Sequence, residues 1–180
     1  MGLPEDRALV AALRDGDGVA FGRVHATHGP RIFNFLARMA GRKDLAEDLY
    51  QETWIKLAVH APRLAEDTDL AAWLYTVARN LARSEKRAQK VRPVSGGPIP
   101  DDSVHPGASP YEWAAANETE GRLEQALAEL PGPFREVLLL VVVEGLEHDR
   151  VARILDLTPE ALRQRLARAR AKLAERLHTT

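Results

Sequence analysis

The stretch LEHDRVARILDLTPEALRQRLARARAKLAERL, residues 146–177, decides how the chain is read. Glu147 to Leu155 carries Val151, Ala152, Ile154 and Leu155 at helical spacing. Asp156, Leu157 and Thr158 interrupt that pattern, and Pro159 follows. The Thr158 hydroxyl suits the cap of a second helix, and Pro159 suits its first position, where the absent N–H would have no partner anyway. Glu160 favours the positive end of the dipole. Beyond the turn, Leu162, Leu166, Ala169, Leu173 and Leu177 recur at steps of three and four as one apolar stripe. Gln164, Ala167, Arg168 and Ala171 lie opposite it. Arg163 and Arg170 flank one side, and Arg165, Lys172 and Arg176 flank the other. A short helix, a three-residue turn and a basic second helix make a helix-turn-helix. An arginine-rich amphipathic helix also serves simply as a solvated face, so the rest of the chain has to decide.

Composition narrows the classes. The 180 residues carry 25 Lys and Arg against 26 Asp and Glu, a net charge of −1, so any basic surface is local. Cysteine is absent, which removes disulfides, thiolate metal sites and cysteine nucleophiles together. Met1 to Asp6 offers neither a basic flank nor an apolar signal core. The longest apolar run, Val137 to Val143, is too short to span a bilayer. The expectation is a cytoplasmic protein with no membrane insertion. Six histidines are scattered along the chain. His25 and His28 share a helix face, but no third ligand stands at useful spacing, so neither metal nor cofactor is expected. No phosphate-cradling glycine loop appears, and the adjacent acids Glu47-Asp48 and Asp101-Asp102 point apart, which is wrong for paired acid and base work. The chain reads as a binding protein and not an enzyme.

Working outward from the C-terminal motif, most of the patterning has helical period. Asp17 is placed to cap a helix bearing Ala20, Phe21 and Val24 that ends near Gly29-Pro30. A second, Arg31 to Ala40, buries Ile32, Phe35, Leu36 and Met39 and stops at Gly41. The third runs from Asp44 to about Val59 with Ala46, Leu49, Tyr50, Thr53 and Leu57 inside. Asp44, Asp48, Gln51, Glu52 and Ile55 face outward with Glu47 beside them. An isoleucine set among acids, next to Trp54, suggests a protein partner more than a solvated surface. After a loop to Thr68, Asp69 caps a fourth helix whose Leu70, Trp73, Leu74, Val77 and Leu81 face the core. Tyr75, Thr76, Arg79, Arg83, Lys86 and Lys90 form the opposite ridge. From Arg79 to Arg92 six basic residues stand against one acid, Glu85. Such a ridge with an aromatic at one end suits a nucleic-acid backbone and an unpaired base, and a merely solvated cationic helix end is the competing reading.

Composition then changes abruptly. Between Arg92 and Arg122 there is no lysine or arginine. Pro93, Pro98, Pro100, Pro106 and Pro110 alternate with glycines and with Asp101, Asp102, Glu112, Glu118 and Glu120. That composition reads as an extended acidic linker. Helical pattern resumes at Leu123, Ala126, Leu127 and Leu130, breaks at Pro131-Gly132-Pro133, and continues as a buried helix from Phe134 to Glu144 closed by Gly145. The expected fold is all-α. Two small helical domains, 1–92 and 118–180, are joined by a flexible acidic linker, 93–117, and the second is a helix-turn-helix domain.

Four blocks in this order resemble an extracytoplasmic-function (group 4) RNA polymerase sigma factor of the sigma-70 family. They are DLAEDLYQETW at 44–54, AWLYTVARNL at 72–81, LPGPFREV at 130–137 and RQRLARAR at 163–170. The resemblance implies that the first domain, region 2, docks on the clamp helices of the largest subunit of core RNA polymerase. Asp48, Gln51 and Glu52 match the docking positions, on the face that also carries Asp44, Glu47 and Ile55. It implies that the same domain melts and holds the −10 element with the Trp73 helix. Arg79, Asn80, Arg83 and Arg87 stand at matching positions, with Tyr75 and Lys86 on the same ridge. It implies that the second domain, region 4, reads the −35 element of promoter DNA. There Arg163, Gln164 and Arg168 match the reading positions, Arg165 and Lys172 lie nearer the backbone, and His148 sits where the first helix approaches it. An anti-sigma factor is a further partner that the resemblance allows. The chain departs from the family pattern at Asp156, where glycine is usual, at Glu147 to Arg150, at Glu160 to Leu162, and at Ser84, where Asp is common. A helix-turn-helix regulator that never touches polymerase accounts for the C-terminal motif but not for the acidic face at 44–55 or the acidic linker. A helical adaptor whose basic surfaces are only solvated is a second alternative, which salt-dependent DNA binding separates.

Overall fold

The computed structural model describes residues 4–91 and 118–179, and every regular element among them is helical. Helices α1 (Pro4–Arg14) and α2 (Gly18–Ala40) meet at Gly16, whose φ of 78° only glycine adopts freely. The Asp17 carboxylate caps α2 by accepting from the Val19 and Ala20 N–H groups at 2.7 and 3.4 Å. The sequence leads one to expect a break at Gly29-Pro30, yet α2 runs straight through it. An interior proline costs about 3 kcal/mol. Ala20, Val24, Ile32, Phe35 and Leu36 are all buried on one face of α2, against α3 and α4. Each large apolar side chain among them contributes roughly 1.5–3 kcal/mol, so the shared core outweighs the break. Gly29 leaves room for the Tyr50 hydroxyl. A Cβ there would lie 2.7 Å from the Tyr50 hydroxyl, which is itself 2.9 Å from His25 Nε2.

Helix α3 (Lys43–His60) ends in a 3-10 turn, Ala61–Arg63, and α4 (Leu70–Val91) follows, capped by Asp69 through the Ala72 N–H at 3.0 Å. In the second half, α5 (Glu118–Ala128) leads into α6 (Gly132–Leu138). The α6 helix starts two residues earlier than its sequence pattern suggests and widens into a π-turn over Leu139–Val143. Val137 to Leu140 are buried, but Val142 and Val143 are 57% and 43% exposed, so the apolar run is only partly inside. Helix α7 (His148–Leu155) and helix α8 (Pro159–Thr179) form the expected helix-turn-helix. Leu162, Leu166 and Ala169 of the predicted stripe are buried and Leu173 and Leu177 half-buried. Thr158 accepts from the Ala161 N–H at 3.2 Å, as its place in the sequence predicts.

The two halves pack on one another. Helix α4 lies against α7, α2 touches α6, and the buried apolar residues of both halves join in one cluster. The linker expected over 93–117 lies outside the described residues.

Asp156 makes the turn of the helix-turn-helix at φ 54°, ψ 55°, the only positive-φ non-glycine residue among those described. A short polar side chain tolerates this region better than most, and a β-branched one does not. Asp156→Gly is therefore expected to leave stability unchanged or raise it by up to about 1 kcal/mol, and Asp156→Val to lower it by about 1–2 kcal/mol. Denaturant unfolding of the two variants checks both signs.

Candidate functional site

Three faces carry the residues singled out by the sequence. On α3, Asp44, Glu47, Asp48, Gln51 and Glu52 are exposed around Ile55, which is 61% exposed. The pairs made here are local, Lys56 to Glu52 at 3.4 Å and Lys43 to Glu47 at 4.0 Å, with Arg42 hydrogen-bonded to Asp44. That hydrogen bond holds the Asp44 carboxyl below its ordinary value. Asp48 and Ile55 are thus presented on a rigid helix. Trp54, expected beside this face, is instead buried beneath α2 among Phe21, His25 and Tyr50, with ring centroids 4.6–5.9 Å away.

On α8, Arg163, Gln164, Arg168 and Lys172 are exposed and Arg165 is half-buried. Arg163 pairs with Glu160 one turn back. The Lys172 ammonium lies 5.9 Å from the centre of the Phe134 ring, close enough for a cation–π contact. His148 is exposed at the start of α7. The wheel drawn from the sequence is reproduced: the apolar stripe is inside, and Gln164 and Arg168 point out.

The ridge on α4 is divided. Asn80, Arg83, Lys86 and Arg87 are exposed and Trp73 is half-buried. Tyr75 and Arg79, expected to face solvent with them, are buried at 1% and 6% exposure. Both point into the seam between the halves, where acids of the second half receive them. Arg79 Nε donates to Glu136 Oε2 at 3.0 Å and its Nη1 to the Ile154 carbonyl at 3.3 Å, with Arg83 Nε 3.8 Å from the other Glu136 oxygen. Tyr75 donates its hydroxyl to Glu144 Oε2 at 2.6 Å, and Arg31 Nε donates to the same oxygen at 3.0 Å. Burial, then the hydrogen bond to Glu144 and the charge behind it, keeps the Tyr75 phenol protonated far above its ordinary range.

Further pairs line the edge of the seam. Arg150 and Arg153 of α7 reach Asp69 at 2.7 and 3.3 Å, and Arg38 of α2 chelates Glu124 of α5 at 2.7–3.1 Å. Burial, with Arg31 and Arg150 nearby, pushes His28 below its ordinary value despite Asp6 and Asp69, so it is neutral at pH 7. Glu136 and Glu144 are the residues that sequence reasoning passed over. Their signal was present: each is an acid set in or beside the apolar run at 134–144, and a carboxylate taken out of water needs partners.

An exposed acidic face set around Ile55 on one half and a basic helix-turn-helix on the other are arranged as in a factor that brings a protein to DNA. Comparison with known proteins specifies which. The chain matches the model of Sigma-70 region 2 over residues 24–92 and that of Sigma-70, region 4 over residues 120–173. The RNA polymerase sigma factor CarQ of Myxococcus xanthus is 34% identical over 168 residues, which are 91% of this chain and 92% of that one. CnrH of Cupriavidus metallidurans, solved in complex with the cytosolic domain of CnrY, superposes with a TM-score of 0.74 at 25% identity, covering 97% of both chains. The sigma factor RpoE of Bartonella quintana, solved with the anti-sigma factor NepR, gives 0.69 at 26% identity over 88% of this chain and 96% of that one. The chain belongs to the sigma-70 family of RNA polymerase sigma factors, in its extracytoplasmic-function group. It directs core polymerase to promoters and initiates transcription there.

Asp69 links the two halves to the start of α4. Burial alone would push its carboxyl up, but the Ala72 N–H, Arg150 and Arg153 together hold it below the ordinary carboxylate range. Its contribution is therefore complete at neutral pH and lost as pH falls through that lowered value. Asp69→Ala is expected to cost about 1–3 kcal/mol, through the lost cap and the unpaired arginines. Asp69→Asn, which keeps the cap, should recover part of this. Thermal unfolding at pH 7 compares the pair, and their difference from the wild type should shrink in acid.

Proposed function

We propose that the residue roles divide between two binding domains, 1–92 and 118–180, joined by the segment 93–117. Helix α3 docks on the clamp helices of the largest polymerase subunit through Asp44, Glu47, Asp48, Gln51, Glu52 and Ile55. The observation that carries this is the exposure of Ile55 inside an acidic face whose charges engage, among the described residues, local lysines and Arg42. Apolar area surrounded by charge is what a specific protein interface needs. Helix α4 holds the −10 element as a single strand. Trp73 and Tyr75 offer rings to bases, Asn80 offers a polar contact, and Arg79, Arg83, Lys86 and Arg87 follow the backbone. Helix α8 enters the major groove of the −35 element. Gln164 and Arg168 read base edges, Arg163 and Arg165 flank them, and Lys172, with His148 of α7, contacts the backbone. The work is binding and positioning and not catalysis, and it is done in the cytoplasm, where the polymerase is. By likeness to the two relatives solved with a bound regulator, an anti-sigma factor is a further partner.

Charge reversal at Asp48 and Glu52 together should abolish co-purification with core polymerase and leave the circular dichroism spectrum unchanged, because both side chains are exposed. A double variant that still co-purifies with core removes α3 from the docking role.

The two kinds of contact on α8 should separate in a salt series with the full chain in holoenzyme. Arg168→Ala is expected to cost about 1–3 kcal/mol on the preferred −35 duplex and to relax discrimination at one position. Lys172→Ala should weaken matched and scrambled duplexes alike and lower the salt slope by about one. Equal loss on both duplexes from Arg168→Ala would make it a phosphate contact.

A further inference from the structure

Helix α4 has a second side, turned away from Tyr75 and Arg79. Trp73, Val77, Asn80, Ser84 and Arg87 recur along it at steps of three and four, which sets them in one row. Trp73 and Val77 are half-buried, and the other three are exposed. At the Trp73 end the row continues beyond α4. His60, the last residue of α3, is exposed there, with its ring centroid 6.1 Å from that of Trp73 and the two planes inclined at 53°. No pattern in the sequence singles His60 out, since it closes a different helix and only the fold brings it to Trp73.

The His60 ring is also held in one orientation. Its Nδ1 lies 2.9 Å from the Lys56 carbonyl oxygen, one turn back on α3. A carbonyl oxygen accepts and cannot donate, so Nδ1 carries the proton, and in the neutral ring Nε2 is left as an acceptor. No partner for Nε2 occurs among the described residues. We propose that His60 is a base-reading residue of the −10 strand site. Trp73 supplies the face on which one unpaired base stacks, and His60 Nε2 accepts a hydrogen bond from an exocyclic amino group on the edge of that base. The inference rests on the assignment of α4 to the −10 strand. It adds a residue outside α4 and the chemistry of the base that is selected.

Hydrogen-bond chemistry decides which bases fit. Stacking is tolerant because every base has a π-face, so Trp73 by itself grips without choosing. An acceptor at the edge of the base does choose. Adenine and cytosine carry an amino group at the place where guanine and thymine carry a carbonyl oxygen. Two acceptors would face one another if thymine or guanine took that position. The inclination of the two rings suits this division, since a base lying parallel to the indole meets the imidazole with its edge. A histidine in the last turn of a helix also serves as a plain cap, donating to a carbonyl at the negative end of the dipole. That role calls on Nδ1 and makes no distinction between bases.

The test uses holoenzyme assembled from core polymerase and the full chain. Its probe is a pool of DNA duplexes with a pre-melted bubble, in which the unpaired strand is randomised over the −10 positions and the flanks are fixed. Bound sequences are recovered and counted for wild type, Trp73→Ala, His60→Ala and His60→Lys, and circular dichroism confirms that each chain is folded. Wild type should favour adenine or cytosine at one position, and Trp73→Ala should weaken bubble binding and blur that same position. His60→Ala is expected to lower the preference there about three- to tenfold, the size of one hydrogen bond, and to leave the other positions unchanged. His60→Lys, a donor with no acceptor, should turn the preference towards thymine or guanine, and it serves where His60→Ala does not fold. Wild-type preferences at every position in a folded His60→Ala or His60→Lys chain would overturn the proposal. So would an equal loss on all sequences, which is the signature of a cap, or a wild-type choice of thymine or guanine at the position that depends on Trp73. If Trp73→Ala weakens bubble binding while the His60 variants choose bases as wild type does, only the reading by His60 is refuted. If Trp73→Ala changes neither binding nor preference, the −10 role of Trp73 falls and the reading by His60 falls with it.

Discussion

Two carboxylates taken out of water govern how this molecule is put together. Glu136 and Glu144 are 2% and 6% exposed, and among the described residues their charged partners lie in the other half. Burying a carboxylate without compensation costs far more than a typical hydrogen bond returns. Each is instead answered across the seam, Glu136 by Arg79 and Arg83, Glu144 by Tyr75 and Arg31. The relative placement of the halves therefore depends on directional polar contacts laid over a modest apolar one. Apolar packing alone is tolerant of sliding; a guanidinium fork on a carboxylate is not.

This arrangement fits a factor whose parts engage different ligands. Helix α3 is anchored by Ala46, Leu49, Thr53, Trp54 and Leu57, so its acidic face is set by the core of the first half alone. Helix α8 is likewise fixed by Leu162, Leu166 and Ala169 within the second half. Those two faces are properties of their own halves and need nothing from the other. The face of α4 is different, because the second half packs on it and buries Tyr75 and Arg79.

Among the described residues no cluster of metal-ligating side chains occurs, and no helix is long and apolar enough to cross a membrane. The work is done by rigid helices that hold charge and aromatic surface at fixed spacing. Local devices set the helix ends: Asp17, Asp69 and Thr158 cap with side-chain oxygens, and Asp156 and Gly41 take left-handed conformations at C-termini. Asp69 serves twice, as the cap of α4 and as the acceptor for two arginines of α7. The start of α4 and the contact between halves are thereby coupled through one carboxylate.

The sequence by itself determined most of the helices, several of their caps and the exposure of two of the three faces it singled out. These follow from interactions within a turn or two of chain, and apolar spacing reports which side of a helix goes inside. It determined the helix-turn-helix down to the Thr158 cap, and the exposure of Asp48, Ile55, Gln164 and Arg168. The family was legible too, from four blocks in order. Tertiary structure decided the rest, where distant residues compete with local preference. Pro30 should end a helix, but the face shared by Val24 and Ile32 carries α2 through it. Tyr75 and Arg79 look like solvent-facing residues on a wheel, because a wheel divides core from everything else and cannot see a second half arriving on the far side. Glu136 and Glu144 look like interruptions of an apolar run until the arginines and the tyrosine 57 to 113 residues away in sequence are brought to them. Charges buried by long-range contacts leave no periodic trace, so only the folded chain could show which of them meet.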